Sequence, residues 1–97
     1  MAAYLIGDIT VTDASVYEEY RKHVPDIIAS HGGKYLIRGG ASQTVEGEWA
    51  AKRVVVLEFP TMERARTWYA SAEYKPLLAM RLKAAQSKMI FVEGYAG

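Results

Sequence analysis

Four charged residues lie within segments that alternate like β-strands: Asp8, Arg38, Glu58 and Glu93. Because successive side chains of a strand point to opposite faces, this alternation places all four on one face of the predicted sheet. An arginine there can orient an anion with its planar fork of donors, and a neighbouring carboxylate can act as acid or base. We therefore predict that Arg38 and Glu93 contact a ligand and that Glu58 or Asp8 is the catalytic acid or base.

These four residues also have a simpler interpretation. Ion pairs among them, or with a partner subunit, would fix the register of the strands and carry out no chemistry. Structural networks of this kind perturb charged groups as active sites do, so the residue types alone do not decide between the two.

Three more polar side chains are predicted to contact the ligand. Tyr4 on the first strand and Tyr20 on the first helix can donate hydrogen bonds through their hydroxyls. Arg81 lies on an otherwise apolar helical stripe, from which it can reach a ligand acid or one of the carboxylates. The alternative is that Arg81 buries its stem and ends in water or in a salt bridge.

The sequence predicts neither a metal site nor a bound cofactor. It contains no cysteine, so thiolate ligands are excluded. The two histidines, His23 and His31, are too far apart on one helix to lie side by side, and neither has a patterned pair of carboxylates nearby.

Four strands are predicted to position these residues. The clearest is Ala51–Pro60, in which β-branched and aromatic residues are followed by a proline. Apolar alternation predicts the other three at Tyr4–Thr12, Lys34–Gly40 and Lys88–Tyr95.

Two helical regions separate the strands. Asp13 can cap the first, which is predicted to run to about Ser30 and to end at Gly32-Gly33. Thr61 can cap the second, and Ser71 is a point at which that helix can break and restart. The resulting order is βαββαβ.

This order predicts an α+β fold, the ferredoxin-like βαββαβ sandwich with a four-stranded antiparallel sheet and helices on one face. One set of strand residues is apolar and aromatic and is expected to meet the helices: Leu5, Ile9, Val11, Tyr35, Ile37, Val55, Leu57, Phe59, Ile90 and Val92. The opposite set mixes apolar and charged residues: Tyr4, Ile6, Asp8, Leu36, Arg38, Val54, Val56, Glu58, Phe91, Glu93 and Tyr95. One chain cannot cover that second face, so we predict a homodimeric α/β barrel. A bulge near Gly39 or Ala50 would reverse the parity of a strand, meaning which of its alternate side chains point to each face of the sheet.

Length and composition predict one domain over residues 1–97 and exclude several classes of partner. Lys+Arg total 12 and Asp+Glu total 11, and this balance lacks the basic surface that nucleic acids and anionic membranes require. The longest aliphatic run, Val54–Leu57, is too short to span a membrane. We expect a cytoplasmic protein.

A set of residues along nearly the whole chain occurs in the order of a known family. They are Tyr20, Gly32-Gly33, Arg38-Gly39-Gly40, Glu46-Gly47, Trp49, Arg53 to Pro60, Trp68-Tyr69, Ser71, Tyr74, Arg81 and Glu93-Gly94. With them the chain resembles the short bacterial family catalogued as domain of unknown function 1330, in the dimeric α/β-barrel superfamily. The resemblance implies a homodimer whose sheets pack face to face, and it implies no established reaction. Superfamily relatives include cofactor-independent monooxygenases, haem-degrading enzymes and lactone isomerases, so the fold alone does not choose among them.

We therefore predict a small dimeric protein that binds or transforms a small organic acid or carbonyl compound without a bound cofactor. Its site would lie between sheet and helices or within the barrel. The alternative is a non-catalytic structural or ligand-binding homodimer. These residues fit an enzyme and a non-catalytic protein alike.

Overall fold

The computed structural model describes residues 1–96. Its strands are β1 (Ala3–Val11), β2 (Lys34–Arg38), β3 (Val54–Phe59) and β4 (Ala85–Glu93). Its helices are α1 (Ala14–Ser30), α2 (Met62–Tyr69) and α3 (Lys75–Ala84). Within this range no helix is long and apolar enough to cross a membrane.

The strands form one antiparallel sheet in the order β2-β3-β1-β4, and the helices cover one of its faces. This is the predicted ferredoxin-like α+β arrangement. We call the covered side the helix face and the other side the open face.

The predicted helix boundaries are confirmed by their caps. Asp13 accepts a 3.2 Å hydrogen bond from the backbone N–H of Val16, and Thr61 accepts one of 3.1 Å from Arg64. Beyond α1, Gly32 takes φ +80°, a conformation that glycine adopts without a steric penalty. The second helical region breaks at Ser71, whose hydroxyl oxygen accepts from the backbone N–H of Tyr74.

Residues that pair across neighbouring strands share a face, so the register defines rows across the sheet. One helix-face row contains Tyr35, Leu57, Leu5 and Phe91. The adjacent row on the open face contains Ile37, Val56, Ile6 and Ile90. The core fills the space between the helix face and the helices, around the ring of Trp68, whose centroid is 4.4 Å from that of Tyr74.

Several predicted face assignments are wrong, and the register shows why. A bulge between Tyr35 and Ile37 reverses the parity of β2, so that Ile37 lies on the open face and Arg38, opposite Val55, lies on the helix face. The predicted positions of the bulge, near Gly39 or Ala50, were therefore also wrong.

The whole of β4 is inverted relative to its prediction. Phe91 pairs with Leu5 and packs edge-on against Tyr69 under the helices, whereas Ile90 and Val92 lie on the open face. Glu93 pairs with Ala3, so its side chain is on the helix side of the sheet, at an exposed position near the end of the strand.

Candidate functional site

The open face carries three of the residues predicted for the site: Tyr4, Asp8 and Glu58. Tyr4 and Glu58 are direct cross-strand partners. Glu58 Oε1 also forms an ion pair with Nζ of Lys34 at 3.4 Å. Glu58 is therefore already paired with a cation in this structure.

Asp8 anchors the long arm that joins β2 to β3. Its carboxylate accepts hydrogen bonds from Trp49 Nε1 (2.9 Å) and from the backbone N–H groups of Lys52 (3.0 Å) and Arg53 (3.2 Å). Led by the indole contact, these hydrogen bonds hold the pKa of Asp8 below its ordinary value. A carboxylate stabilised in its charged form is a weak base, and what it does here is fix the arm. The backbone of Lys52 and Arg53 turns toward Asp8, and β3 accordingly begins at Val54, later than predicted.

Arg38 lies on the opposite side of the sheet from Asp8 and Glu58. Its Nη2 donates a 2.8 Å hydrogen bond to the backbone carbonyl of Arg21 on α1, and its guanidinium stacks 4.5 Å from the ring centroid of Tyr35. The prediction that Arg38 shares one face with Asp8, Glu58 and Glu93 is wrong. One subunit cannot combine these groups into a single site.

Arg38 instead belongs to a cavity between the helix face and the helices, which we call the central cavity. Its lining is Leu5, Ile9, Tyr17, Tyr20, Arg21, Val24, Ile28, Tyr35, Arg38, Arg53, Val55, Leu57, Trp68, Tyr74 and Met89. The lining combines apolar side chains with tyrosine hydroxyls and three guanidinium groups. Its volume is about 20 Å³, room for roughly one water molecule.

A buried hydrogen-bond chain lies at the base of the central cavity. The hydroxyls of Tyr20 and Tyr74 are 2.8 Å apart, and Arg81 Nε donates to the Tyr74 hydroxyl at 3.4 Å. Burial, reinforced by the neighbouring Tyr74, raises the pKa of Tyr20 above its ordinary value. Tyr20 is thus a neutral phenol at physiological pH, able to donate a hydrogen bond as predicted but not to act as a base.

Three side chains of the central cavity have buried N–H donors without a hydrogen-bond partner within residues 1–96. They are Nε of Arg21, Nε of Arg53 and Nε1 of Trp68. Buried polar groups are nearly always paired, so each of these requires an explanation. All three are donors, and the missing partner is therefore an acceptor.

The lining contains no carboxylate and no histidine. Within the described part of the chain, no cluster of three or more histidine, cysteine or acidic residues could hold a metal ion. The lining therefore offers hydrogen-bond donors and positive charge, but no carboxylate or imidazole that could serve as a general base.

The open face bears a larger but shallower groove of about 660 Å³ beside Trp49, lined by Ile6, Asp8 and Ile90 among others. Its polar partners differ from those of the central cavity. The carboxylate of Asp8 is already hydrogen-bonded there, and of the buried unpartnered atoms within residues 1–96 only the Ser87 hydroxyl belongs to a residue that lines this groove.

The ligand contacts predicted for Tyr20 and Arg81 stay predictions; Tyr20 lines the central cavity, and Arg81 lies behind Tyr74. Arg53, Tyr74 and Trp68 also line the cavity and were not among the predicted site residues. Arg53 carried a usable signal, because the strand alternation already put this charged residue on the apolar helix face. Tyr74 and Trp68 lay on predicted core stripes, where only three-dimensional neighbours distinguish a cavity wall from ordinary packing.

The family model described as "Domain of unknown function (DUF1330)" matches residues 2–95. The protein belongs to the DUF1330 family. No curated protein matches the sequence significantly.

Solved structures confirm the fold of this DUF1330 chain. A protein of unknown function from Rhodopseudomonas palustris superimposes with a TM-score of 0.79 at 15% identity, covering 99% of this chain and 84% of the other. The cofactor-independent oxygenase SnoaB from Streptomyces nogalater gives 0.67 at 12% identity, covering 99% and 95%. A dimeric ferredoxin-like protein of unknown function from Jannaschia sp. CCS1 gives 0.65 at 7% identity, covering 97% and 100%. At such identities these similarities concern the fold alone.

Proposed function

We propose that this protein is a homodimer that binds a small organic acid or carbonyl compound in the central cavity without a bound cofactor. The observation that carries the proposal is the set of three unpartnered N–H donors on the cavity residues Arg21, Arg53 and Trp68. A carboxylate, carbonyl or phenolate oxygen would supply the acceptor that these donors lack.

Positive charge favours the anionic form of such a ligand. The cavity is lined by three arginines, Arg21, Arg38 and Arg53. Of these three, only Arg21 has an ion pair within residues 1–96, and its partner is the exposed Glu18. Guanidinium groups remain charged at all physiological pH values and match carboxylates geometrically. Tyr20 would add a neutral hydrogen bond from the base of the cavity.

The cavity must open before it can hold a ligand larger than water. Arg38 is exposed and bridges β2 to α1 through one hydrogen bond to the Arg21 carbonyl. Breaking one such bond to a charged group costs about 1.5–3 kcal/mol, which ligand contacts can offset. Arg38 would thus both cover the cavity and become the anion contact once displaced.

The chemistry that this lining supports is stabilisation of an oxyanion. Fixed positive charge beside an enol or phenol lowers the pKa of that hydroxyl and favours its anion. Support for cofactor-independent chemistry comes from the fold similarity to SnoaB, described as a cofactor-independent oxygenase. The catalytic roles predicted for Glu58 and Asp8 stay predictions, and they would require a separate site on the open face, as would ligand contacts of Tyr4. A ligand contact of Glu93 also stays a prediction.

The alternative function is a non-catalytic homodimer in which the central cavity holds water only. The small volume of the cavity and its lack of a general base favour this alternative. It predicts that no organic acid binds and that the guanidinium groups serve packing.

The homodimer itself is supported by the open face. The row Ile37, Val56, Ile6 and Ile90 crosses all four strands, and Ile37 and Ile90 are 43% and 59% exposed. An aliphatic band of this kind on a sheet marks an interaction surface. The Jannaschia neighbour, described as dimeric, supports a second copy as the partner.

The experiment is a binding titration with a panel of small acids, including benzoate, salicylate and pyruvate, on wild type and Arg38→Met. Methionine keeps much of the apolar stem but removes the donor fork. We expect the affinity to fall by about ten- to a hundredfold, the equivalent of one charge-assisted hydrogen bond. Loss of the hydrogen bond to the Arg21 carbonyl can lower stability by up to about 1.5–3 kcal/mol, and because Arg38 touches no carboxylate this loss should be the same at every pH.

Arg66→Met is the matched control, since Arg66 is an exposed arginine of α2 outside the central cavity. It should bind the panel as the wild type does. Equal affinity of Arg38→Met and wild type would contradict the anion contact. A folded wild-type protein that binds no member of the panel would favour the non-catalytic alternative.

A further inference from the structure

Arg81 presents an electrostatic problem that the central cavity does not solve. The residue is only 2% exposed, yet its only side-chain hydrogen bond within residues 1–96 runs from Nε to Tyr74. No carboxylate of this range lies within 4.0 Å of its guanidinium. The terminal nitrogens are not among the buried unpartnered atoms of residues 1–96, so they reach the surface, where an anion can be their acceptor in place of water.

A separate pocket lies beside Arg81, between α3 and β4. Its volume is about 250 Å³ and its lining is Tyr69, Arg81, Leu82, Ser87 and Met89. We call it the Arg81 pocket. No acidic residue contributes to this lining, so nothing within it competes for the guanidinium.

Ser87 supplies a second, independent observation at the same pocket. Its hydroxyl is buried and has no hydrogen-bond partner in the part of the chain that the structure describes. Ser87 pairs with Ile9 in the register and therefore lies on the helix face, on the same side of the sheet as Arg81. An unsatisfied hydroxyl and an uncompensated guanidinium thus line one small pocket.

We propose that the Arg81 pocket binds the carboxylate of a small organic acid, with the Arg81 guanidinium and the Ser87 hydroxyl as donors. Leu82, Met89 and the Tyr69 ring provide an apolar wall for the body of the acid. A single cation matches a monoanion, and the planar guanidinium matches a carboxylate bidentately. Inorganic phosphate fits less well, because the apolar wall would desolvate its second charge without compensation.

The Arg81 pocket is distinct from the proposed central site. Arg81 reaches the central cavity only through Tyr74, and neither Arg81 nor Ser87 lines that cavity. Because Arg81 Nε is bonded to Tyr74, a lining residue of the central cavity, the two places are separated by variants: Arg38→Met removes the proposed central anion contact, and Leu82 lines the Arg81 pocket but not the central cavity.

The test follows the Nε–H resonance of Arg81 by NMR during titration with benzoate, and in parallel with inorganic phosphate. The resonance is assigned by its loss in Arg81→Lys. We expect saturable movement with benzoate, weaker binding of phosphate, and unchanged behaviour in Arg38→Met, whose side chain lies in the other cavity. Because Arg81→Lys alters a buried side chain, the decisive variants are at the exposed rim of the pocket.

Leu82 is 65% exposed, so substitutions there are expected to fold. Leu82→Glu places a competing carboxylate beside Arg81, whereas Leu82→Gln has the same shape without the charge. We expect benzoate to bind Leu82→Glu at least about tenfold more weakly than Leu82→Gln. Ser87→Ala should weaken binding by a smaller factor without loss of stability, since it removes an unsatisfied hydroxyl.

Two results would overturn the proposal: an Arg81 resonance that benzoate does not move in the folded protein, or equal benzoate affinities for Leu82→Glu and Leu82→Gln. Phosphate binding tighter than benzoate would overturn the choice of a carboxylate. Failure of the central site would appear differently, as loss of the Arg38→Met effect with the Arg81 signal intact.

Discussion

Tyr74→Phe is the substitution that best tests the buried hydrogen-bond chain. The Tyr74 hydroxyl is the middle member, 2.8 Å from the Tyr20 hydroxyl and accepting from Arg81 Nε at 3.4 Å. Its removal leaves one phenol and one guanidinium N–H buried without a partner. A buried group left unsatisfied costs about 1–3 kcal/mol, so with two such groups we expect the free energy of unfolding to fall by about 2–6 kcal/mol.

Tyr20→Phe is the matched control at the end of the same chain. It removes one neutral hydrogen bond, while Tyr74 continues to accept from Arg81. The expected loss is about 1 kcal/mol. The double variant should lose less free energy of unfolding than the two single variants together, because both single variants break the same hydrogen bond between the two hydroxyls.

Urea unfolding, followed by far-ultraviolet circular dichroism, measures these differences. All variants must be compared at one protein concentration, because the stability of the proposed homodimer would depend on it. A Tyr20→Phe variant at least as destabilised as Tyr74→Phe would refute the central position of Tyr74. Two near-zero losses would mean that the chain contributes nothing to stability.

Three further predictions concern the core, the arm and the assembly. Leu57 is 2% exposed, so Leu57→Ala should lower the free energy of unfolding, measured in urea, by about 2–5 kcal/mol. Glu46→Ala in the exposed arm should lower it by less than about 1 kcal/mol. Similar losses for the two variants would contradict the face assignment of β3. Because folding lowers the pKa of Asp8, this carboxylate should contribute fully to the free energy of unfolding above its unfolded pKa of about 3.9, and the contribution should be lost as pH falls through the folded pKa. The indole N–H resonance of Trp49 should shift when the protonated Asp8 releases it, and Asp8→Asn should abolish the pH dependence of that resonance. The open faces of two copies should pack into a dimer that buries roughly 1,200–2,000 Å² or more in total. Sedimentation should show this dimer for the wild type and a monomer for Val56→Asp on the open face. A wild-type monomer at micromolar concentration would contradict the prediction.

The fold was predictable because several independent signals agreed. Strand alternation, the caps at Asp13 and Thr61, and the break at Ser71 together specify the order βαββαβ, and the structure confirms each. Such agreement among local signals is what allows a sequence to specify one topology.

Strand parity failed where both faces of a strand are apolar. In β4, Met89 and Phe91 alternate with Ile90 and Val92, so a period of two cannot choose between the pairs. The choice is made by long-range pairing, which sets Phe91 opposite Leu5. In β2 a single bulged residue reverses the parity, and nothing in its local sequence distinguishes it.

The site was predicted only in part, because its composition depends on those parities. Tyr20 and Arg81 were found from their helical stripes, where a polar group among apolar residues is visible in the sequence. Arg38 was predicted to orient an anion beside the carboxylates of Asp8 and Glu58, but the sheet separates it from both. The single bulge in β2 thus removes the predicted combination of an anion contact with a catalytic carboxylate within one subunit.

Asp8 illustrates why a residue type does not establish a chemical role. A carboxylate within a strand is a candidate base, but three N–H donors around Asp8 stabilise its charged form and lower its pKa, which weakens it as a base. The same contacts fix the backbone of Arg53, whose side chain lines the central cavity on the other side of the sheet. Asp8 therefore acts on the proposed anion site from the opposite face, through the arm that it holds. Neutralising it should weaken ligand binding even though no ligand touches it.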